Sequence, residues 1–247
     1  MNIDFKDRIV IVTGGTRGIG AAIAKMFELN NAQVIATGTN KLLLDELNRE
    51  AKSSGISYMH LDFTSTPSVE SFLDSIESLG KVDILVNCAG VNKISPVDEI
   101  SIEDWDWINT VNLRGPFLIT KAISSIMKHS GYGRIVNISS IFGVVSKIKR
   151  AAYSTTKWGL LGFTKAIALD LGTYNILVNA VSPGFVDTEL TRKILGDEGI
   201  KDILQDIPLK KLALPDEIAR TVLFLSSDLN TYITGQNIII DGGFTSA

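Results

Sequence analysis

The sequence predicts an α/β protein with a doubly wound fold, in which helices cover both faces of a central parallel sheet of about seven strands. Three features of the chain lead to this prediction. Strand-like and helix-like segments alternate along its length, the strand-like segments are apolar almost throughout, and the first of them runs into a glycine-rich turn that opens a helix. Strands that are apolar on both faces belong to a sheet covered on both sides, and strands alternating with helices are normally parallel.

The predicted elements follow one another in a regular order. Apolar strand-like runs occupy residues 8–13, 33–37, 56–61, 83–86, 134–138, 176–181 and 237–240. Helical patterns lie between and after them, at 18–30, 41–54, 67–79, 103–129, 151–173, 188–205 and 215–227. Pro116 is expected to bend or divide the fourth helix, because proline has no backbone N–H to donate. With 247 residues and no linker or repeat, the chain is expected to form a single domain over 1–247.

Composition narrows the class of protein. A formal net charge of −3 argues against a nucleic-acid or membrane-surface role, and no apolar run is long enough to span a bilayer. No leader segment is recognised before the first strand. Cys88 is the only cysteine, so no internal disulfide can form, which is typical of a cytoplasmic protein, and its position after the run DILVN indicates a packing role. The two histidines, His60 and His129, are too scattered for a zinc site, so no metal is predicted.

The segment RIVIVTGGTRGIGAAIAKMFELNNAQVIATG predicts a strand, a glycine turn, a helix and a second strand. Gly14, Gly18 and Gly20 allow the backbone to turn sharply and to approach a pyrophosphate, while the positive end of the following helix points at that anion. Ile23 stands where the usual dinucleotide fingerprint has its last glycine. A tight strand-to-helix turn without a ligand is the alternative interpretation.

Tyr153 and Lys157 are four residues apart and therefore share one face of the predicted sixth helix. A lysine ammonium beside a phenol favours the phenolate, so Lys157 is expected to lower the pKa of Tyr153 and to prepare it for proton exchange with a substrate oxygen. Ser140 ends the apolar run RIVNIS and could donate to the same oxygen. Taken alone, such a pair is also common on a solvated helix face.

Seven motifs in order strengthen the catalytic interpretation. They are TGGTRGIG, NCAG at 87–90, Asn112 in VNLRG, Ser140, YSTTK at 153–157, SPGFVDT at 182–188 and ITGQNIIIDGG at 233–243. With these motifs the chain resembles the short-chain dehydrogenase/reductase family over nearly its whole length. The resemblance implies a Rossmann-type NAD(P)-binding catalytic domain and hydride transfer between a nicotinamide and a carbonyl or alcohol carbon.

The resemblance also implies four catalytic residues. Tyr153 would be the general acid in reduction and the base in oxidation, and Lys157 would lower its pKa and bind the nicotinamide ribose. Ser140 would polarise the substrate carbonyl, and its distance of thirteen residues from Tyr153 selects it over Ser139. Asn112 would hold a water that links Lys157 to solvent, although alone it is equally a polar residue that satisfies backbone groups.

The predicted cofactor residues follow the strands, at the edge of the sheet where ligands of doubly wound folds bind. Asp62 would meet the adenine and Thr188 the nicotinamide carboxamide. The full set is Gly14, Thr16, Arg17, Gly18, Ile19, Gly20, Thr37, Thr39, Asn40, Asp62, Phe63, Asn87, Ala89, Gly90, Tyr153, Lys157, Pro183, Gly184, Val186 and Thr188.

NADP(H) is the predicted cofactor, with NAD(H) as the alternative. An acidic residue that would bind the ribose hydroxyls of NAD is expected at the end of the second strand, where Gly38 stands instead. Arg17 and Lys41 could reach a 2′-phosphate, as could the side chains of Thr37, Thr39 and Asn40. The arginine that often selects NADP in this family is missing, since Thr39 takes its place, and Arg17 and Lys41 could equally be solvated surface charges.

The substrate is a small carbonyl or alcohol compound of unidentified structure. The chain most resembles 3-oxoacyl-(acyl-carrier-protein) reductases, but Gly131 and Tyr174 occupy the places where those enzymes carry bases for the carrier protein. Lys128, His129 and Arg134 lie nearby, so the loss of basic character is partial. A basic loop with Lys147, Lys149 and Arg150 could attract a carboxylate or phosphate, or could simply be solvated. The alternatives are therefore a sugar, polyol or small hydroxy-compound dehydrogenase and, less favoured, a non-catalytic dinucleotide sensor.

A homo-oligomer is predicted from the sixth helix, whose apolar residues surround most of its circumference. They are Trp158, Leu160, Leu161, Phe163, Ala166, Ile167, Ala168, Leu169 and Leu171. A helix packed on one sheet needs only one apolar stripe. We expect this helix to pair with the helix of 103–129 across a two-fold axis, and the resemblance adds an interface at the C-terminal strand and a homotetramer. The alternative is that other parts of the same chain cover the outer face of this helix.

Overall fold

A computed structural model describes residues 3–51 and 54–246, and its sheet confirms the predicted doubly wound fold. Seven parallel strands lie in the order β3-β2-β1-β4-β5-β6-β7. The order reverses between β1 and β4, which places a crevice at the carboxyl ends of these two strands. The strands are β1 (Ile9–Val12), β2 (Gln33–Gly38), β3 (Ile56–His60), β4 (Ile84–Asn87), β5 (Gly133–Ile138), β6 (Ile176–Pro183) and β7 (Asn237–Ile240).

Eight α-helices connect the strands and end close to their predicted positions. They are α1 (Gly18–Leu29), α2 (Lys41–Glu50), α3 (Thr66–Leu79), α4 (Ile102–Asn109), α5 (Gly115–Ser130), α6 (Ala151–Leu171), α7 (Glu189–Asp206) and α8 (Pro215–Ser226). The predicted helix over 41–54 ends earlier, at Glu50, and residues 52 and 53 lie outside the described residues. Gly196 interrupts α7 with a φ of 63° and a ψ of 179°, a conformation that is essentially restricted to glycine.

Alternate residues of the strands divide the core between the two faces of the sheet. On one face, strand residues such as Val12 and Val86 pack with Phe27 of α1 and Val222 of α8. On the other face, strand residues such as Ile11, Leu85, Ile135 and Val178 pack with α3, α5 and α6, through the side chains of Phe72, Ile76, Ile119, Ile123, Met127 and Leu171. Both faces are therefore covered, as the continuous apolar strands predicted.

The fourth predicted helix is divided, but the division precedes Pro116. Residues Thr110–Arg114 form a π-helical turn between α4 and α5. A proline ring clashes with the carbonyl four residues earlier, here that of Asn112, and the wider turn relieves this clash. The division therefore places Asn112 in a π-helical turn, a feature that often occurs at functional sites.

Residues 3–51 and 54–246 contain neither a membrane-spanning helix nor a metal-binding cluster. None of their helices is long and apolar enough to cross a membrane. Within the same ranges, no three His, Cys, Asp or Glu side chains form a group that could bind a metal ion.

Candidate active site

The turns that follow β1 and β4 touch each other at the crevice. Gly14 has a φ of +67°, and a Cβ at that position would lie 2.8 Å from the Cα of Ala89. Thr13 joins the same two turns, because its hydroxyl accepts hydrogen bonds from the backbone N–H groups of Cys88 (3.0 Å) and Ala89 (3.1 Å). Gly14 is therefore required both by the backbone conformation and by the close approach of the β4 turn.

The N-terminus of α1 has the properties of an anion site. No side chain caps it, its first turn has no acidic residue, and its N-cap residue Arg17 is exposed. Four other helices, α2, α3, α4 and α7, are capped by an Asn, Ser or Thr side chain. The free N–H groups and the helix dipole suit the pyrophosphate of a dinucleotide, so the residues present fit the predicted cofactor.

Residues from distant strands border the same turn. A Cβ on Gly18 would lie 3.4 Å from the Cγ2 of Thr188, the N-cap residue of α7, which places the segment after β6 against the glycine turn. A Cβ on Gly38 would lie 2.6 Å from the Cγ2 of Thr16. A Cβ on Gly184 would lie 2.8 Å from the Cα of Asp241. The structure thus brings the turns after β1, β2 and β6 together as predicted.

Ser140, Tyr153 and Lys157 come together at the carboxyl end of β5. Ser140 starts a short 3₁₀ turn, and its Oγ accepts from the backbone N–H of Phe142 at 3.1 Å. The Ser140 side chain also lies near the Tyr153 phenol, whose pKa it lowers. The competing Ser139 is fixed elsewhere, because its hydroxyl donates to the carbonyl of Lys157 at 3.0 Å. Ser140, and not Ser139, therefore stands beside the phenol.

The environment shifts the pKa of both members of the Tyr–Lys pair. Burial raises the pKa of Tyr153 above its usual value, while the Ser140 side chain and the positive charge of Arg150 act in the opposite direction. Burial lowers the pKa of Lys157 to about 8. Each shift reflects the cost of removing a charged group from water.

The expectation that Lys157 lowers the pKa of Tyr153 stays a prediction. The Lys157 ammonium lies 5.6 Å from the centre of the Tyr153 ring, and its Nζ donates to the carbonyl of Ile138 at 2.8 Å. The ammonium is therefore held by β5, and the groups that favour the phenolate are Ser140 and Arg150.

Asn112 links the turn after β4 to α6 through hydrogen bonds. Its amide donates to the carbonyl of Val91 and accepts from the N–H of the same residue, both at 2.8 Å. A further bond from its Nδ2 reaches the hydroxyl of Thr156 at 3.2 Å. A Cβ on Gly90 would lie 3.6 Å from both the Asn112 Oδ1 and the Lys157 Nζ, so these groups border one space. The backbone-satisfying role considered for Asn112 is therefore present in the structure.

Four predicted cofactor residues direct their side chains into the protein. Thr37 is buried, and its hydroxyl accepts from the N–H of Gly14 at 3.2 Å, so it braces the glycine turn. Asn87 is also buried and donates to Thr120 and Asn137. Phe63 and Val186 belong to the two apolar cores. These side chains have structural contacts, although the Asn87 Oδ1 has no partner among the described residues, and their place in the cofactor site stays a prediction.

Among the remaining predicted residues, Thr39, Asn40 and Asp62 are at least partly exposed, whereas Pro183 is buried. Thr39 and Asn40 are exposed beyond β2, although the Asn40 Oδ1 accepts from Leu43 as the cap of α2 at 3.2 Å. Asp62 is half-buried beyond β3 and accepts from the hydroxyl of Thr64 at 2.6 Å. Ile19 packs at the edge of the core and Pro183 ends β6.

Thr13 and Thr156 are two contributors that the sequence interpretation missed. Thr13 links the turns after β1 and β4, and Thr156 connects Asn112 to α6. The only signal in the sequence was the threonine itself, which stands immediately before Gly14 in one motif and immediately before Lys157 in the other.

Cys88 has the environment expected of a packing residue. Burial raises the pKa of its thiol to about 12, which makes it a poor nucleophile.

Comparisons with known proteins agree with this geometry. The family model described as "Enoyl-(Acyl carrier protein) reductase" matches residues 14–245. Among curated relatives, the 3-oxoacyl-(acyl-carrier-protein) reductase FabG of Aquifex aeolicus (strain VF5) is 39% identical over 98% of this chain and 99% of that protein. D-threitol dehydrogenase of Mycolicibacterium smegmatis is 35% identical over 99% of this chain and 97% of that protein. A solved gluconate 5-dehydrogenase from Burkholderia cenocepacia, in complex with NADP and tartrate, superposes with a TM-score of 0.93 at 30% identity, covering 100% and 98% of the two chains.

Proposed function

The chain belongs to the short-chain dehydrogenase/reductase family, and we propose that it uses NADP(H) to interconvert a small ketone and the corresponding secondary alcohol. It is an NAD(P)-dependent oxidoreductase that acts on CH–OH groups of a small-molecule substrate. The observation that carries the proposal is the grouping of Ser140 and Tyr153 beside the buried ammonium of Lys157. The catalytic domain is proposed to extend over 1–247.

Each residue of the site has a proposed role. Bound NADP(H) supplies the hydride acceptor or donor. Tyr153 donates a proton to the carbonyl oxygen in reduction and removes the hydroxyl proton in oxidation, and Ser140 orients that oxygen by a hydrogen bond. Lys157 would bind the nicotinamide ribose, and its pKa of about 8 allows it to exchange protons near neutral pH. Asn112 fixes the turn beside Lys157, and a water relay there remains a proposal.

A preference for NADP(H) is proposed on the charges around the end of β2. No carboxylate stands at Gly38, and Arg17 and Lys41 are both exposed near the crevice. A carboxylate at that place would repel a 2′-phosphate, whereas cations attract it. The gluconate 5-dehydrogenase with bound NADP supports this choice by similarity.

Replacing Arg17 with Ser tests the cofactor preference. We expect kcat/KM for NADPH to fall about 10- to 100-fold, because a hydrogen bond to a charged group contributes about 1.5–3 kcal/mol. The value for NADH should change little. Arg220→Ser, at an exposed position on α8, is the matched control and should alter neither value. Wild-type protein with a tenfold preference for NADH, about 1.4 kcal/mol, would contradict the proposal.

A free small molecule is favoured over a carrier-linked substrate. Of the bases near the expected docking place, Arg134 is buried, and its Nη1 donates to the carbonyls of Gly133 and Asn175. Lys128 lies over the ring of Tyr174, 4.7 Å from its centre. The earlier expectation that Arg134 could partly replace the missing bases is therefore corrected. A 3-oxoacyl-(acyl-carrier-protein) reductase remains the second candidate, because the FabG relatives support it.

A screen of NADPH oxidation separates the candidate functions. The panel contains short keto acids, keto-sugars, small diketones and acetoacetyl thioesters. Turnover of small free ketones is the expected result. Turnover restricted to the thioesters would favour the second candidate, and NADPH binding without turnover of any ketone would indicate a sensor and overturn the proposal.

A homotetramer is proposed on the exposed apolar surface of α5 and α6. Phe117, Trp158 and Leu169 are 47%, 53% and 84% exposed, although they belong to helices that pack on the sheet. Pairing of these helices across a two-fold axis would bury this surface and brace Tyr153 and Lys157, and a second interface would lie at β7.

A cytoplasmic location is likewise a proposal, supported by the single cysteine.

Replacing Leu169 with Glu tests the α5–α6 interface. A carboxylate buried without a partner is strongly unfavourable, so the variant should have a smaller mass by light scattering than the wild-type protein at micromolar concentration. Leu42→Glu, at a 77% exposed position on α2, should leave the mass unchanged. A wild-type protein that is monomeric and fully active would contradict the proposed assembly.

A further inference from the structure

Arg150 is a buried cation without a partner. It is only 9% exposed, and its Nε and Nη1 atoms are buried with no hydrogen-bond acceptor among the described residues. No carboxylate in residues 3–51 and 54–246 forms an ion pair with it. A buried guanidinium with unused donors is costly, and desolvation lowers its pKa accordingly.

The side chain of Arg150 lies beside the proposed catalytic tyrosine. Arg150 is the N-cap residue of α6, three positions before Tyr153, so the two residues are neighbours on one face of the helix. Its guanidinium carbon lies 5.4 Å from the centre of the Phe142 ring, and Phe142 in turn makes an edge contact with Tyr153 at 6.4 Å between ring centres. The positive charge of Arg150 lowers the pKa of the Tyr153 phenol.

The other basic residues of the same loop behave differently. Lys147 and Lys149 are exposed, which matches the solvated alternative considered for this loop. Lys149 has a φ of +63°, an unusual left-handed conformation, and the next residue is Arg150. Lys147 and Lys149 are therefore exposed to solvent, whereas Arg150 is buried.

Arg134 is a second buried arginine, and it is only partly satisfied, because its Nε has no acceptor among the described residues. It is 4% exposed, yet its Nη1 donates to two backbone carbonyls and its guanidinium lies 4.5 Å from the centre of the Tyr132 ring. Arg150 has a comparable ring contact but no carbonyl or carboxylate acceptor. The Nε and Nη1 of Arg150 are therefore donors that no residue of the described ranges accepts.

We propose that Arg150 binds the carboxylate of the substrate, and that the chain therefore acts on a short keto acid and the corresponding hydroxy acid. This inference rests on the proposed function, because it uses Tyr153 as the proton donor to the substrate carbonyl. A planar guanidinium binds a carboxylate through two parallel hydrogen bonds, and burial makes such a charge pair selective.

Arg150 and Tyr153 both border the Phe142 ring, so one small substrate can contact the guanidinium and the phenol together. A second unpartnered group lies in the turn after β4, where the Oδ1 of Asn92 is buried without a donor. This turn contacts the basic loop, since the N–H of Ser95 donates to the carbonyl of Lys149 at 3.3 Å. Asn92 would accept a hydrogen bond from a substrate hydroxyl.

The test compares short 2-keto and 3-keto acids with their own methyl esters. The wild-type protein should have a higher kcat/KM for the acids. In Arg150→Met the ratio of acid to ester should fall at least about 30-fold, because truncating one partner of a buried charge pair is strongly unfavourable. Arg150→Lys should recover part of the ratio, and Lys147→Met, which removes an exposed charge of the same loop, should keep the wild-type ratio.

Two further measurements distinguish the possible outcomes. The melting temperature of Arg150→Met should equal or exceed that of the wild-type protein, because an unpaired buried charge is removed; a marked decrease would indicate a structural role instead. Calorimetric binding of the keto acids in the presence of NADP⁺ needs no turnover. If keto acids bind in an Arg150-dependent manner but are not reduced, the proposed function fails and the inference stands. An acid-to-ester ratio and a binding affinity that are the same in Arg150→Met and in the wild-type protein would overturn the inference.

Discussion

Replacing Tyr153 with Phe should lower kcat by about 1,000-fold or more, which is within the range that general acid–base catalysis contributes. The variant keeps the ring that contacts Phe142 but loses the hydroxyl beside Ser140. No other phenol is described beside Ser140, so no residue is available to replace the proton donor. NADPH binding should be almost unchanged, because the glycine turn and the N-terminus of α1 are formed by other residues.

Tyr232→Phe is the matched control for this variant. Tyr232 is 95% exposed, so loss of its hydroxyl should affect neither kcat nor stability. The measurements are single-turnover oxidation of NADPH and the fluorescence titration of each protein with NADPH. Near-normal turnover in Tyr153→Phe would defeat the assignment of the proton donor, and a parallel loss of NADPH binding would indicate that the substitution had disturbed the cofactor site.

Replacing Gly20 with Ala should destabilise the protein and weaken NADPH binding together. Gly20 is buried in the first turn of α1, and a Cβ there would lie 2.2 Å from the carbonyl oxygen of Gly14. Because the clash is with backbone and not with a flexible side chain, the glycine turn itself must move. We expect a loss of about 1–3 kcal/mol or more in the free energy of unfolding. The affinity for NADPH should fall at least about tenfold, since the N–H groups proposed to bind the pyrophosphate are displaced.

Gly172→Ala separates this effect from a general effect of glycine substitution. Gly172 has a φ of −58° and a ψ of −38°, and a Cβ there would meet no atom within 4 Å. Alanine at this position should leave NADPH binding unchanged and should not reduce stability. Urea unfolding and NADPH titration of both variants check the prediction, and a Gly20→Ala protein as stable and as tightly binding as the Gly172→Ala protein would contradict the geometry of the turn.

The fold could be predicted from the sequence because its signals are local and repeated. Each apolar run between two helical patterns became a strand, and the first helix begins at Gly18 as predicted. Pro116 predicts a break in this helix, but the π-helical turn at Thr110–Arg114 could not be predicted, since contacts with distant residues also hold it in place. Asn112 is held there by Val91 of the β4 turn and by Thr156 of α6, and neither partner is close to it in sequence.

The site could be predicted less completely, because side-chain direction at the end of a buried strand leaves no pattern in the sequence. Thr37 and Asn87 end strands that are buried on both faces, so no alternation of polar and apolar residues shows which way their side chains point. Arg150 is a similar case. Three basic residues share its loop, and only the backbone turn at Lys149 and the packing on Phe142 distinguish the buried one.

Transfer of deuterium from labelled NADPH to a ketone tests the central claim most directly. The protein is incubated with NADPH that carries deuterium at the transferable position of the nicotinamide, together with the panel of small ketones and keto acids, and the products are analysed by mass spectrometry. We predict a secondary alcohol with one deuterium at the carbinol carbon from the wild-type protein and almost none from Tyr153→Phe. Bound NADPH that keeps its deuterium with every ketone of the panel would contradict the account.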